Sequence, residues 1–184
     1  MNIAFQYLFI HVILFFFIDI TFEKEITIKN HDENWNNLKN VINDNQNDEE
    51  LILRFVDNYY TVYYDNIFSS IELMITGNVS FIGNENGTVF DFLDNIIGYN
   101  IQYLRNKGDV VKFEKIIFKN SLVGFSTKYS IPLFAIRAST DYFNLIFSNC
   151  TFEDNKAPIM SVDITTSKST ASTYSVQIND CFFR

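Results

Sequence analysis

The sequence predicts an all-β solenoid, and three observations carry that expectation. From residue 51 onward the apolar residues fall in short segments, dominated by β-branched and aromatic side chains and separated by polar turns. Phe113, Ile116 and Phe118 recur as Phe147, Cys150 and Phe152 and again as Ile178, Cys181 and Phe183. The copies are 31 to 34 residues apart, counted from Phe118 to Phe152 and from Phe152 to Phe183, a period suited to one coil of a repeat structure. Helical repeats of that length need a 3.6-residue periodicity, which is absent after residue 50.

Composition sets the outer limits. A chain of 184 residues is one domain or part of one. With 47% hydrophobic residues, 20 Phe and 10 Tyr among them, it can bury enough apolar surface to offset its conformational entropy, so a disordered chain is excluded. The net charge of -8 and the lack of any Lys or Arg run leave little to neutralise phosphates, which argues against nucleic acid and anionic headgroups as partners.

Residues 3–18 form an almost unbroken apolar run. As a helix it would span about 24 Å, short of the ~30 Å hydrocarbon core. Residues 1–20 therefore read as a secretory signal peptide, with a short uncleaved anchor or a buried element as alternatives. Residues 21–50 read as an N-terminal cap. Within it, residues 23–29 alternate as a short strand, and Trp35, Leu38, Val41 and Ile42 place one apolar stripe on a short amphipathic helix with Asp32 as its N-cap. Residues 43–50 form a polar loop with no glycine, unlike a calcium loop.

Residues 51–184 are the expected coils. Strand segments fall near residues 51–56, 59–63, 71–75, 79–81, 89–92, 111–113, 116–118, 133–136, 145–147, 151–152, 162–164 and 176–178, with Pro132 and Pro158 at segment edges. Residues 95–108 are the least regular and read as an excursion. Strands of successive coils would pair in parallel at about 4.8 Å, so that equivalent residues stack. Aligning the repeats places Val79, Ile116, Cys150 and Cys181 in one column and Phe81, Phe118, Phe152 and Phe183 in another. Asn84, Asn120 and Asn155 then fall at corners, where Asn supplies left-handed backbone or a side-chain ladder.

The element Phe152-Glu153-Asp154-Asn155 resembles the F-x-x-N element of right-handed parallel β-helix proteins of the pectin lyase-like superfamily, including those with polymorphic outer-membrane-type repeats. A helix around Trp35 and Leu38, a strand at residues 51–55 and the later Thr88-Val89-Phe90-Asp91 are similar to that superfamily's N-terminal layout. The resemblance covers residues 32–184. It implies a right-handed parallel β-helix with a short N-terminal capping helix. Because the sequence stops after Cys181-Phe182-Phe183-Arg184, in mid-repeat, the expectation is a solenoid truncated at its C-terminus, whose last apolar pair needs a following coil.

Relatives of that fold include polysaccharide lyases and glycoside hydrolases, whose chemistry needs closely placed carboxylates or an acidic calcium cluster beside a basic Arg or Lys. Asp91, Asp94, Asp141, Asp163, Arg105 and Arg137 are the right residue types, but they form no recognisable pair, and Asp163 and Arg137 alternate with apolar neighbours as a solvated face does. His31 is the sole histidine outside the leader, which leaves Ser-His-Asp and Cys-His arrangements without material. No phosphate loop or dinucleotide fingerprint is present. No catalytic, metal or cofactor site is expected.

Cys150 and Cys181 share a repeat position one coil apart, within disulfide reach, although stacked free thiols suit an inward column better. Without a histidine beside them a metal site is the weakest reading. Three sequons make Asn78, Asn86 and Asn149 candidates for N-glycosylation in a eukaryotic secretory pathway, a number that chance also gives in a chain this rich in Asn, Ser and Thr. Tyr59, Tyr60, Tyr63 and Tyr64 either stack on sugar rings or pack half-buried. The functional expectation is a secreted or cell-surface β-helix with an adhesion, carbohydrate-contact or structural role. Its partner would be a polysaccharide or surface glycan, with membrane contact only through an uncleaved leader or a further C-terminal segment. The alternative is the non-catalytic N-terminal part of a polysaccharide lyase or glycoside hydrolase.

Overall fold

The computed structural model describes residues 23–46, 50–62, 68–122, 131–139, 141–165 and 175–184; the leader and Tyr63 and Tyr64 lie outside them. A first strand, β1 (Lys24–Ile28), is followed by two short helices, α1 (Glu33–Asn36) and α2 (Leu38–Asn45). The chain then lays strands in turn on three faces: β2 (Glu50–Phe55), β3 (Tyr59–Thr61) and β4 (Phe68–Ile75), then β5 (Asn78–Ile82) and the long β6 (Thr88–Tyr103), which serves two faces. β7 (Val110–Glu114), β8 (Ile116–Ser121) and β9 (Phe134–Ala138) make the next turn, and β10 (Asn144–Ser148), β11 (Thr151–Glu153) and β12 (Met160–Ile164) the one after. β13 (Val176–Asn179) and β14 (Phe182–Phe183) complete the described chain. The result is a right-handed parallel β-helix of about five turns.

Every strand pairing is parallel and joins one turn to the next. The first sheet runs β1-β2-β5-β7-β10-β13. The second comprises β3, the start of β6, β8, β11 and β14, and the third β4, the end of β6, β9 and β12. Alternate side chains enter the core, so in-register residues of one type form columns. Phe81, Phe113 and Phe147 stack at 4.5 and 5.3 Å between ring centres. Phe118, Phe152 and Phe183 stack at 5.3 and 4.8 Å. These separations follow the strand spacing of about 4.8 Å. Edge-on contacts such as Phe118 with Phe134, at 5.1 Å, fill the middle.

The first repeat lies on a different sheet from the one its sequence suggests. Val79 and Phe81 pair with Val111 and Phe113 on the first sheet, not with Ile116 and Phe118. The true second column is Tyr60, Phe90, Phe118, Phe152 and Phe183. Both faces carry an apolar-x-aromatic strand, so the two read alike in sequence. The repeat at Phe113, Ile116 and Phe118 is a corner: Phe113 ends one sheet, Ile116 opens the next, and Lys115 between them turns the chain with φ 57°. Asn149 (φ 53°) and Asp180 (φ 51°) do the same one and two turns later.

At the opposite corner Asn120 (φ 59°) and Asp154 (φ 52°) take left-handed backbone. Asn155 does not; it is the ladder residue, its Nδ2 donating to Phe118 O at 2.8 Å and its Oδ1 accepting from Ser121 N at 3.0 Å. The F-x-x-N element thus has a physical basis: Phe152 fills the column while Asn155 satisfies backbone groups that the previous turn leaves open at the bend. Asn84 forms a similar link, donating to Asn58 Oδ1 at 2.7 Å.

Residues 95–103 are not an excursion. They belong to the end of β6, paired on one side with β4 and on the other with β9. Gly98 and Asn100, residue types common in loops, are both buried there. The expected single helix is two, broken at Asn37 (φ -122°, ψ 33°). Asp32 caps the first, accepting from Trp35 N at 2.7 Å. Trp35, Leu38 and Ile42 are buried under the first full turn, where the Trp35 ring meets Tyr60 at 5.0 Å and Phe90 at 5.3 Å. Gln46 closes the outer edge of β4 by donating to Met74 O and accepting from Thr76 N, each at 2.7 Å, as a neighbouring strand would.

Candidate functional site

The outer face of the second sheet carries a ladder of charged side chains beside a polar cleft. Since Tyr60, Phe90, Phe118 and Phe152 point inward, their neighbours point out. One outer column runs Tyr59, Val89, Ile117, Thr151 and Phe182. The next runs Thr61, Asp91, Lys119 and Glu153, with Arg184 beyond them. From Asp91 to Arg184 the charges alternate in sign, one per turn. Lys119 Nζ lies 3.8 Å from Glu153 Oε1, and Arg184 Nη2 lies 3.2 Å from Glu153 Oε2.

Asp91 is the fixed point of this ladder. It is 7% exposed, and it accepts from the Tyr59 hydroxyl at 2.6 Å, Asn120 Nδ2 at 2.9 Å and Leu93 N at 2.8 Å. Burial opposes its ionisation, but these three donors and the Lys119 charge outweigh burial and hold its carboxyl below the ordinary value. The same bond pushes the Tyr59 phenol up to about 12, first because its proton is given to Asp91 and then because the group is partly desolvated.

Beside the ladder, at the corner between the second and third sheets, Asp94, Asn120, Asp154, Asn155, Lys156 and Arg184 line an open cleft of about 520 Å³. Its walls combine carboxylates, amides and two cations, a set of donors and acceptors suited to hydroxyl-rich ligands. A larger hollow of about 700 Å³ lies against the cap, lined by His31, Trp35, Leu38, Lys39, Thr61 and Ile71 among others. Among the described residues its lining holds no carboxylate, and its indole N–H already donates to Thr61 O at 3.0 Å.

Of the acidic and basic candidates, the structure brings Asp91 and Asp94 to this one corner. Arg137 and Asp163 face each other on the outside of the third sheet as register partners of β9 and β12. Arg105 pairs with Asp109 at 2.6 Å, a partner four residues on that the sequence reading did not single out. Lys119, Glu153 and Lys156 were missed, and Asn120 was read as a corner residue alone, because only the register of the turns aligns them. Tyr60 is no sugar platform: it is fully buried and its hydroxyl donates to Ile28 O at 2.6 Å. Tyr59 is 42% exposed on the outer face.

Asn78, Asn86 and Asn149 are all exposed. Asn78 Oδ1 accepts from Val110 N at 2.9 Å, Asn86 sits in the turn before Gly87, and Asn149 is a left-handed corner residue. Cys150 is buried and Cys181 partly so, both as free thiols in the inward column of Thr88 and Ile116. Among the described residues, no three His, Cys, Asp or Glu side chains are grouped to hold a metal ion. In comparisons with known proteins, no family model, no curated protein and no solved structure matches this chain.

Proposed function

We propose that this protein is a secreted or cell-surface β-helix that holds an extended, neutral polysaccharide against the outer face of its second sheet. The observation that carries the reading is the repetition of polar and apolar outer columns, one residue per turn, beside the cleft at Asp94, Asn120 and Asn155. A linear glycan also repeats its hydroxyls along one axis, and hydroxyls both donate and accept, so successive sugars can meet carboxylates and cations by turns. The net charge of -8, and the placing of Lys119 and Arg184 beside carboxylates, disfavour acidic polymers. The apolar leader and the exposure of Asn78, Asn86 and Asn149 support a secretory route. The likeness of the F-x-x-N element to pectin lyase-like proteins is consistent with a glycan partner.

A second reading, the non-catalytic part of a polysaccharide lyase or glycoside hydrolase, draws on Asp94 and Asp154 lining one cleft with Lys156 and Arg184. One experiment addresses both. The full chain, secreted from eukaryotic cells, is sedimented with cellulose, chitin, β-glucan and pectin, and release of reducing or unsaturated ends is followed. The expected result is retention on a neutral polymer without turnover, and loss of about tenfold in affinity, near 1.4 kcal/mol, in the double variant Lys156→Ala/Arg184→Ala. Retention on none of the polymers, or on pectin alone, overturns the proposal. Turnover overturns both readings, since neither places catalysis in this chain, whereas retention on pectin alone favours the second.

A further inference from the structure

We propose that Cys150 and Cys181 form an intrachain disulfide that fastens the turn containing β13 and β14 to the turn beneath it. Thr151 lies opposite Phe182 and Phe152 opposite Phe183, so Cys150 lies opposite Cys181 on adjacent parallel strands. Phe182 N donates to Cys150 O at 3.0 Å, which fixes the two chains side by side at this point. Neighbouring parallel strands are about 4.8 Å apart, inside the Cα separation of roughly 4.4–6.8 Å that disulfides occupy. Both side chains continue the inward column of Thr88 and Ile116, so they point to the same side of the sheet.

The thiols have no stronger engagement elsewhere among the described residues. Cys150 Sγ donates to Phe113 O at 3.4 Å, and Cys181 Sγ to Asn179 O at 3.3 Å. The location also gives the bond a purpose. β14 has two residues, β13 has four, and Phe182 and Phe183 are 70% and 56% exposed, so this turn is held by fewer buried contacts than the turns below it. A covalent tie at its corner restrains both strands together.

The chemistry is thiol–disulfide exchange with a small-molecule disulfide of the glutathione class. The Cys181 thiolate, on the more accessible side chain, attacks one sulfur of that oxidant and releases one small thiol. The Cys150 thiolate then attacks Cys181 Sγ and releases the second. Two protein thiols are oxidised and one disulfide is reduced to two thiols, and the two protons that Cys150 and Cys181 lose are taken up, through solvent, by the two released small thiolates. Burial pushes the Cys150 thiol up to about 12, with Cys181 adding to the effect, so Cys150 is the resolving and not the initiating group.

The test uses the full chain, secreted and then equilibrated with oxidised and reduced glutathione. It is denatured without reductant and treated with N-ethylmaleimide. The expected result is no adduct until a reductant is added, then two, together with a cross-linked tryptic pair spanning residues 138–156 and 169–184. In the native protein, reduction should speed amide exchange in β13 by about tenfold or more, and the Cys181→Ser variant should show the fast rate under both conditions. Two adducts without reductant, a link between two chains, or exchange in β13 that ignores redox state overturns the proposal.

Discussion

Tyr99 points into the centre of the solenoid, stacked on Phe134 at 5.5 Å, and its hydroxyl has no hydrogen-bond partner among the described residues. Burial alone drives its phenol far above the ordinary value. An orphaned buried donor costs about 1–3 kcal/mol, and the ring itself packs like its Phe neighbours. Tyr99→Phe should therefore stabilise the protein by about 1 kcal/mol, read as a higher urea midpoint at unchanged m-value. Asp91 is the opposite case, a buried carboxylate that accepts three hydrogen bonds. Its folded pKa lies below the unfolded value of about 3.9, so its contribution is complete above that pH and is lost as pH falls through the folded value. Tyr59→Phe or Asn120→Ala removes a donor to the carboxylate and should move the acid unfolding midpoint to higher pH. The phenol of Tyr59 works on the other limb, where stability from its bond to Asp91 is complete below about 10 and is lost as pH rises through about 12. Asp91→Asn should flatten both limbs, and circular dichroism against pH would show it.

At the scale of the element, the end of β6 is held by its neighbours and not by local preference. The segment leading into β9 approaches so closely that a Cβ on Gly98 would lie 2.2 Å from Pro132 O and 3.1 Å from Leu133 O, both backbone atoms that cannot swing aside. Gly98→Ala should destabilise by about 1–3 kcal/mol through forced separation of the third sheet, measured by denaturant unfolding. The helices illustrate a different rule. Neither α1 nor α2 is long enough to persist alone, and both depend on the apolar roof that Trp35, Leu38 and Ile42 make over the first turn.

Across the whole molecule, each turn touches only the turns on either side, so stability is close to a sum of nearest-neighbour terms and is greatest in the middle. Phe113 and Phe152 have stacked neighbours above and below, whereas among the described residues Phe183 is stacked on Phe152 alone. Hydrogen exchange should follow this gradient. Amides of β7 and β8 should be protected on the order of 10³-fold more strongly than those of β14, and uniform protection from β5 to β14 would contradict the quasi-one-dimensional picture.

The local texture of the chain determined its strands: short β-branched and aromatic segments, punctuated by polar turns, mark almost every one from Leu51 to Ile178. The corner repeat at Phe113, Phe147 and Ile178 was also legible, because a turn that stacks on its own copy must keep its spacing between two inward residues. Which strand lies on which sheet was not. Val79-x-Phe81 and Ile116-x-Phe118 are chemically alike, and only the packing of three sheets around one core separates them. The same holds for the outer ladder. Asp91, Lys119, Glu153 and Arg184 are about 30 residues apart in sequence, with loops of unequal length between them, and adjacency across turns is a property of hydrogen-bond register that no local window contains.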